Sequence, residues 1–356
     1  MAGTIRIGII GSGGIAGAHA NAYKQMPEVE IKAVADVIPG KAAEFIQRHN
    51  LIGAVPFDDH NQLLALELDG VSVCTPNVAH HRTSIDALNA GKNVLTEKPM
   101  AVTLEQAIEM AEAAKKAGKI LTVGFQPRYD PNMQLIKQIV QSGDLGKVYY
   151  VETGGGRRRG IPGGTFIRKD LAGAGAMADI GCYSLDLAMD ALGYPKPLTV
   201  SAYTGDLLGK SPRYFREASH FEVEDFGVAL VRLEGGAILN FKISWAMHMD
   251  TLGATMFLGT DAGLKVTSPN GVWDGGVESI TLFRDEFGQL TDTVVPVRRH
   301  NIDRFFEKVK AFVVAIRDGK PAPIPGSIIV RNQAIIDGVL RSAATGHEID
   351  IVIPEI

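Results

Sequence analysis

Ile7–Ile10 is an apolar run that passes without interruption into Gly11-Ser12-Gly13-Gly14-Ile15-Ala16. Strand, glycine turn and helix must follow in that order, because each small residue answers a different geometric demand. Gly11 permits the tight turn, Gly13 allows close approach of the backbone, and Ala16 lets helix pack on strand. The helix that opens here presents free N–H groups and a partial positive charge to an anion. The alternation then continues. Strands are expected over Ile5–Ile10, Val29–Ala35, Gly70–Cys74, Asn93–Thr96 and Ile120–Gly124, and helices over residues 14–26, Gly40–His49, His80–Ala90 and Leu104–Ala117. Short strands separated by helical segments imply βαβ units and a twisted parallel sheet.

Past Gly124 the texture changes. After one amphipathic helix, Pro131–Ser142, longer alternating runs dominate: Val148–Thr153, Leu198–Thr204, Phe221–Leu233, Ala237–Trp245 and Ala254–Leu258. Turns such as Glu234-Gly235-Gly236 between such runs indicate an antiparallel sheet. Two helices, Asp303–Asp318 and Ser327–Thr345, close the chain around a proline-rich connector at residues 321–325. The expected class is α/β: an N-terminal doubly wound parallel sheet of Rossmann type over 1–125, then an α+β domain over 126–356 with a large, mainly antiparallel, open-faced sheet. A length of 356 residues accommodates both.

Composition narrows the function classes. Lys plus Arg is 36 and Asp plus Glu 40, a net charge of -4, which argues against a nucleic-acid binder. Cys74 and Cys182 form neither a CxxC pair nor a zinc set, and no His/Cys/Asp/Glu spacing suggests a metal. No stretch approaches the ~18 apolar residues of a membrane helix. Ala18-His19-Ala20 imitates a signal-peptidase site, yet cleavage there would destroy the glycine fingerprint. The chain reads as cytoplasmic, in keeping with its low cysteine usage.

Glycine makes up 40 of the 356 residues, so the triplet alone proves little and its position decides the reading. At the first strand–helix turn of a βαβ unit, Gly11, Ser12, Gly13, Gly14 and Ile15 form a pyrophosphate cradle. Asp36, ending the second strand, stands where a carboxylate binds the adenine ribose hydroxyls. No Arg or Lys follows among Val37, Ile38 and Pro39. The expected cofactor is therefore NAD, with NADP as the alternative.

Val73-Cys74-Thr75-Pro76-Asn77, followed by His80, ends the third strand, and Thr96-Glu97-Lys98-Pro99 ends the fourth. With the fingerprint, with Gly124-Phe125-Gln126-Pro127-Arg128-Tyr129, and with the segment Gly175 to Asp186, the chain resembles the Gfo/Idh/MocA family of NAD(P)-dependent oxidoreductases over nearly its whole length. The resemblance implies that Lys98 lies beside the nicotinamide, with a cis peptide before Pro99. It also implies that Glu97 binds the nicotinamide ribose, and that Thr75, Pro76, Asn77, His80 and Gln126 line the cofactor channel. Both segments sit at carboxyl ends of parallel strands, where ligands bind in such sheets.

Within Met177–Asp186, Asp179 and Tyr183 are four apart and are expected on one face of a helix. Many family members carry histidine where this chain has Tyr183. The implied reaction is hydride transfer between a sugar or cyclitol carbinol and the nicotinamide. An alcohol must lose its hydroxyl proton as hydride leaves carbon, so an acid/base group is required. Oxidation through tyrosinate near neutrality asks for about 4 kcal/mol of stabilisation, and an ammonium has the right sign to supply it. Lys98, Asp179 and Tyr183 are the catalytic set; either Lys98 or Tyr183 is the formal base, and Asp179 orients Lys98 or binds a substrate hydroxyl.

Gly154-Gly155-Gly156-Arg157-Arg158-Arg159-Gly160 could bring Arg157 and Arg159 to an anionic substrate, or be a solvated basic loop. Arg128, Lys169, His248 and His300 are further candidate substrate contacts. An NAD-dependent glycosidase and a non-catalytic sugar sensor are the competing functions; a retained Lys98 weighs against the sensor. The uncovered sheet face implies a homodimer or homotetramer.

Overall fold

A computed structural model describes residues 4–268, 271 and 276–355. The described chain divides into two compact units. One holds residues up to Gln126 together with Ile302–Val330, and the other holds Pro127–Asn301 with Arg331–Glu355.

In the first unit β1 (Ile5–Ile10), β2 (Val29–Ala35), β3 (Val55–Phe57), β4 (Gly70–Val73), β5 (Asn93–Thr96) and β6 (Leu121–Val123) form one parallel sheet in the order β3-β2-β1-β4-β5-β6. The crossovers carry α1 (Gly14–Lys24), α2 (Lys41–His49), α3 (His60–Leu64), α4 (Asn77–Asn89) and α5 (Leu104–Ala117). Strand order reverses between β1 and β4, and ligands bind at such a switch point, beyond the strands' carboxyl ends. Local chemistry sets the helix limits. Thr103 accepts the Gln106 N–H at the start of α5, and Gly118, at φ +61, ends it in the left-handed conformation. β3 and α3 are absent from the sequence expectation: three and five residues are too short for a period to emerge.

The segment 302–330, which the sequence reading places in the second domain, packs within this unit. Its helix α10 (Arg304–Asp318) inserts Val309, Phe312 and Val313 into the core formed with Ala16, Ala20 and Tyr23 of α1 and Ile7 and Ile9 of β1. An amphipathic stripe states that a helix is packed; it does not say on what.

The second unit is built on β7 (Tyr150–Gly156), β8 (Pro197–Gly205), β9 (Phe226–Leu233), β10 (Ile238–Ser244), β11 (Thr255–Leu258), β12 (Ala262–Thr267), β13 (Ser279–Glu286), β14 (Gln289–Val295) and β15 (Ile349–Asp350). They pair in the order β14-β13-β12-β11-β7-β10-β9-β8-β15. Every pairing is antiparallel except β7 with β10. The three glycines expected in a loop lie inside β7, where the strands crowd: a Cβ on Gly154 would stand 1.7 Å from the Lys242 carbonyl oxygen.

One sheet face, including Val151, Leu239, Phe241, Ile243 and Phe257, is buried. The helices of this unit are α6 (Pro131–Gln141), α7 (Lys169–Ala172), α8 (Ala176–Asp179), α9 (Gly181–Ala191) and, from residue 331 onward, α11 (Gly326–Thr345). The opposite face presents Tyr203, Leu230, Phe283 and Val294 to solvent. On it, the Lys242 ammonium pairs with Glu152 at 2.7 Å and the Tyr150 hydroxyl donates to Glu152 at 2.8 Å.

Candidate active site

In the first unit, Gly11 takes φ +89, and a Cβ there would meet the Cys74 carbonyl at 2.5 Å, so no other residue fits this turn without strain. Gly13 is the residue before α1, and Cβ atoms built on Gly13 and Gly14 meet nothing within 4 Å. That open space beside the α1 N-terminus, at which Ile15 also lies, is the cradle a pyrophosphate needs.

Asp36 Oδ2 accepts the Ser12 hydroxyl at 2.6 Å and the Ser12 N–H at 2.9 Å, while Oδ1 accepts the Ile38 N–H at 3.0 Å. Burial alone would raise this carboxyl; the donors from Ser12 and Ile38, with Lys41, outweigh it and hold Asp36 below the usual carboxylate range. The Lys41 ammonium lies 3.5 Å from Oδ2. Lys41 stands five residues past Asp36, beyond the uncharged Val37-Ile38-Pro39 stretch.

Thr75, Pro76 and Asn77 lead from β4 into α4, and the Thr75 hydroxyl is buried without a hydrogen-bond partner. Cradle, ribose-type carboxylate and orphan hydroxyl together fit a dinucleotide. His80 is fully buried and ties two loops: Nδ1 stands 2.7 Å from the Pro99 carbonyl and Nε2 3.0 Å from that of Thr75. Burial pushes His80 below the ordinary histidine value, against these carbonyls. The Lys98–Pro99 peptide is cis. Gln126 opens a short 3-10 turn after β6.

Glu97 follows β5 and carries the most enclosed carboxylate of this loop. It is turned inward, only 4% exposed, with Oε1 taken by His19 Nε2 at 2.8 Å and by the Lys308 ammonium. The carboxylate lies beneath the loop that carries Lys98, with Oε1 engaged inside the unit and Oε2 3.4 Å from the Lys98 N–H. Neither His19 nor Lys308 stood out in the sequence.

In the second unit, Asp179 ends α8 and Tyr183 belongs to α9, so the helix expected through both is broken at Ile180. Gly181, which opens α9, sits where a Cβ would be 2.9 Å from the Phe241 ring and 3.1 Å from the Ala176 carbonyl, so a side chain there would crowd β10. Asp179 is fixed by Trp245, whose indole N–H donates to Oδ2 at 3.0 Å. The turn ahead of α8 is latched by Glu224, which accepts the Gly175 N–H at 2.8 Å and the Met177 N–H at 3.0 Å. Burial raises the Glu224 carboxyl. Tyr183 is 9% exposed and borders a small cavity with Pro127, Met133 and Leu187.

The candidate substrate contacts divide. Arg128 is corrected: Nε and Nη2 grip Asp186 at 2.8 Å each, Nη1 lies 3.3 Å from Asp190, and Tyr194 completes the cage, so its guanidinium braces the fold. Arg157 donates to the Gly160 carbonyl at 3.1 Å. Arg159 donates to Met247 O at 2.9 Å and stacks over Tyr214 at 4.8 Å, beside His248. Lys169 opens α7 with an exposed side chain, and His300 Nε2 lies 3.5 Å from Asp130. Among the described residues no group of His, Cys, Asp or Glu could hold a metal ion, and no helix is long and apolar enough to cross a membrane.

Residues 5–125 match the Gfo/Idh/MocA oxidoreductase family, NAD-binding Rossmann fold, and residues 133–265 match the family's C-terminal domain. The D-glucoside 3-dehydrogenase of Escherichia coli K12 is 32% identical over 358 aligned positions, covering 98% of this chain and 97% of its own. The myo-inositol 2-dehydrogenase of Thermotoga maritima is 26% identical over 90% of this chain and 91% of its own. Levoglucosan dehydrogenase in complex with NADH shares the fold at a TM-score of 0.83 and 21% identity, covering 99% of this chain and all of its own. The chain belongs to the Gfo/Idh/MocA family of NAD-binding oxidoreductases.

Proposed function

We propose that this chain oxidises a secondary carbinol of a sugar, sugar derivative or cyclitol, and reduces the corresponding ketone, with NAD as hydride partner. The observation that carries the reading is the pairing, within one unit, of an open glycine cradle with the Lys98 loop at the carboxyl ends of β1 and β5. Relatives named for glucoside and inositol dehydrogenation, each aligned over nine tenths of the chain, supply the substrate class.

Gly11, Ser12, Gly13, Gly14 and Ile15 hold the pyrophosphate, Asp36 the adenine ribose, and Thr75, Pro76, Asn77, His80 and Gln126 line the channel. NAD held there would supply the acceptor for the carbinol hydride. Lys98 polarises the substrate oxygen, and Tyr183 or Lys98 moves the hydroxyl proton; in reduction Tyr183 donates while Lys98 stabilises the developing oxyanion. Asp179, held by Trp245, orients a substrate hydroxyl. Arg157, Arg159, Lys169 and His300 are retained as further substrate contacts. The division of labour is a cofactor-binding N-terminal domain and a substrate-binding, oligomer-forming C-terminal one. The solvated sheet face supports a homodimer or homotetramer, and the enzyme works in the cytoplasm.

A panel of methyl glucosides, free sugars, sugar phosphates and inositols, assayed with NAD and NADP in both directions, tests this. Net NADH formation with at least one sugar is expected. Bond cleavage in a glycoside with no net NADH would establish the glycosidase alternative instead. Lys98→Ala is expected to lose at least about a thousandfold in kcat while still binding NADH.

A further inference from the structure

A buried polar chain runs beneath the Lys98 loop. The Tyr23 hydroxyl meets Ser72 Oγ at 2.7 Å, Ser72 Oγ meets His19 Nδ1 at 2.9 Å, and His19 Nε2 meets Glu97 Oε1 at 2.8 Å. The Lys308 ammonium of α10 ends on that same oxygen. Tyr23, Ser72 and His19 are fully buried and Lys308 is 2% exposed.

The chemistry at the Glu97 end sets the sense of the first bonds. An ammonium can only donate and an ionised carboxylate can only accept. Burial and the Lys308 charge push His19 below the ordinary histidine value, against the pull of Glu97, and so favour the neutral ring. Burial alone would raise Glu97, but Lys308 and His19 outweigh it and hold the carboxyl well below its usual range. Nε2–H of His19 therefore donates to Glu97, and with the ring neutral Nδ1 accepts from Ser72, which leaves Ser72 to accept from Tyr23. The other oxygen, Glu97 Oε2, faces the Lys98 N–H at 3.4 Å. Gly124 leaves room for the carboxylate, since a Cβ there would lie 2.9 Å from Oε1.

A buried ion pair is a poor source of net stability, and apolar replacements often serve as well. We propose that Lys308 is a positioning residue for Lys98, acting through Glu97: it keeps the carboxylate ionised beneath the Lys98 peptide and so fixes the loop that aims the Lys98 side chain. The inference rests on the reading of Lys98 as the group that serves the carbinol.

Loss of Lys308 leaves Glu97 buried beside a neutral imidazole, and the nearest source of compensating charge is a proton on His19. The other titratable groups around Glu97 do not replace it. The Cys74 thiol of the loop after β4 is pushed up by burial and by Glu97 itself, Tyr23 is pushed up by burial, His80 of α4 is held against carbonyls, and Lys98 is present in wild type and variant alike. In Lys308→Met the carboxylate is thus balanced at low pH, where His19 is charged, and unbalanced as pH rises.

The test uses full-length enzyme with NAD and methyl β-D-glucoside as probe, or whichever sugar in the panel turns over fastest. It compares wild type, Lys308→Met and Lys308→Arg from pH 5.5 to 9, with thermal midpoints and the His19 ring nitrogens followed by NMR. Lys308→Met is expected to fall about tenfold in kcat at pH 8 and to approach wild type near pH 6, with KM for NAD within about twofold. Lys308→Arg should restore most of the loss, and His19 should titrate only in the Met variant. A kcat unchanged in Lys308→Met, or lowered by one factor at every pH in step with the thermal midpoint, overturns the proposal. Should Lys308→Met not fold, Glu97→Gln/Lys308→Met removes both charges; it is expected to fold with kcat low at every pH, and wild-type kcat in it overturns the proposal. If wild-type enzyme turns over no sugar, the oxidoreductase reading fails by itself, and the His19 titration decides: its absence in folded Lys308→Met overturns the role given to Lys308.

Discussion

The indole N–H of Trp245 donates to the Asp179 carboxylate at 3.0 Å, so a fully buried residue just beyond β10 fixes a half-buried acid at the end of α8. Hydrogen bonds to charged groups contribute about 1.5–3 kcal/mol. Trp245→Phe keeps the apolar bulk of the site, including much of the edge-on contact with Phe221, and removes the donor. We expect kcat to fall roughly tenfold or more with KM for NAD unchanged, because the donor acts on Asp179 alone. Steady-state kinetics on the best sugar of the panel measures this; a KM effect with intact kcat would remove Asp179 from the chemistry.

The carboxylate of Asp36 and the ammonium of Lys41, 3.5 Å apart, make opposite demands on the cofactor. With Asp36 in place, a 2′-phosphate meets a negative charge and Lys41 is already engaged. Asp36→Ala should raise KM for NAD about tenfold or more and lower KM for NADP, since it frees a cation where the phosphate would lie. Parallel titrations with the two cofactors check it, and the double variant Asp36→Ala/Lys41→Ala should lose the NADP gain.

Most of the parallel sheet was legible because its signals are local. β1, β2 and β5 follow from apolar runs bounded by turn residues, and the cradle follows from three small residues whose spacing is dictated by backbone geometry. What was not legible depends on partners far away in sequence. Lys308 sits in a run, Arg304 to Asp318, where a lysine reads as solvated; its burial arises from Glu97, 211 residues earlier. Arg128 reads as a substrate ligand until Asp186 and Asp190 are seen to surround it. The division between α8 and α9 falls at Ile180, whose own φ/ψ are still right-handed helical, a local irregularity that no helical period encodes.

Acid should weaken the first unit in two stages. His19 and His80 are both buried with values pushed below ordinary histidine, by burial foremost. The unfolded chain therefore binds protons that the folded one refuses. Their contribution is complete above about pH 6.5 and declines as pH falls below it, by up to about 1.4 kcal/mol per pH unit for each ring. Glu97, held low, adds a second loss once pH falls below the ordinary glutamate value of about 4.3. Thermal midpoints between pH 8 and 4 should be flat at first, then fall. His80→Asn, which keeps a donor for the Pro99 carbonyl, should soften the first decline; a midpoint level from pH 7.5 to 5.5 would count against neutral buried rings.

The open sheet face combines apolar and polar groups in the manner of a surface that is covered by a second copy. Tyr203 and Leu230 are 57% and 43% exposed, on neighbouring strands β8 and β9, while the Glu152–Lys242 pair lies further along the same face. Leaving such side chains in water forfeits the burial energy of about 25 cal/mol per Å² of apolar surface. Leu230→Glu places a charge in that face without touching the buried side of the sheet. Light scattering should report a multimer for wild type at micromolar concentration and a smaller species for Leu230→Glu. The variant's secondary structure should be unchanged, because Leu230 packs into no core within its own chain. Wild-type protein with the mass of a single chain would show instead that this face is simply tolerated in water.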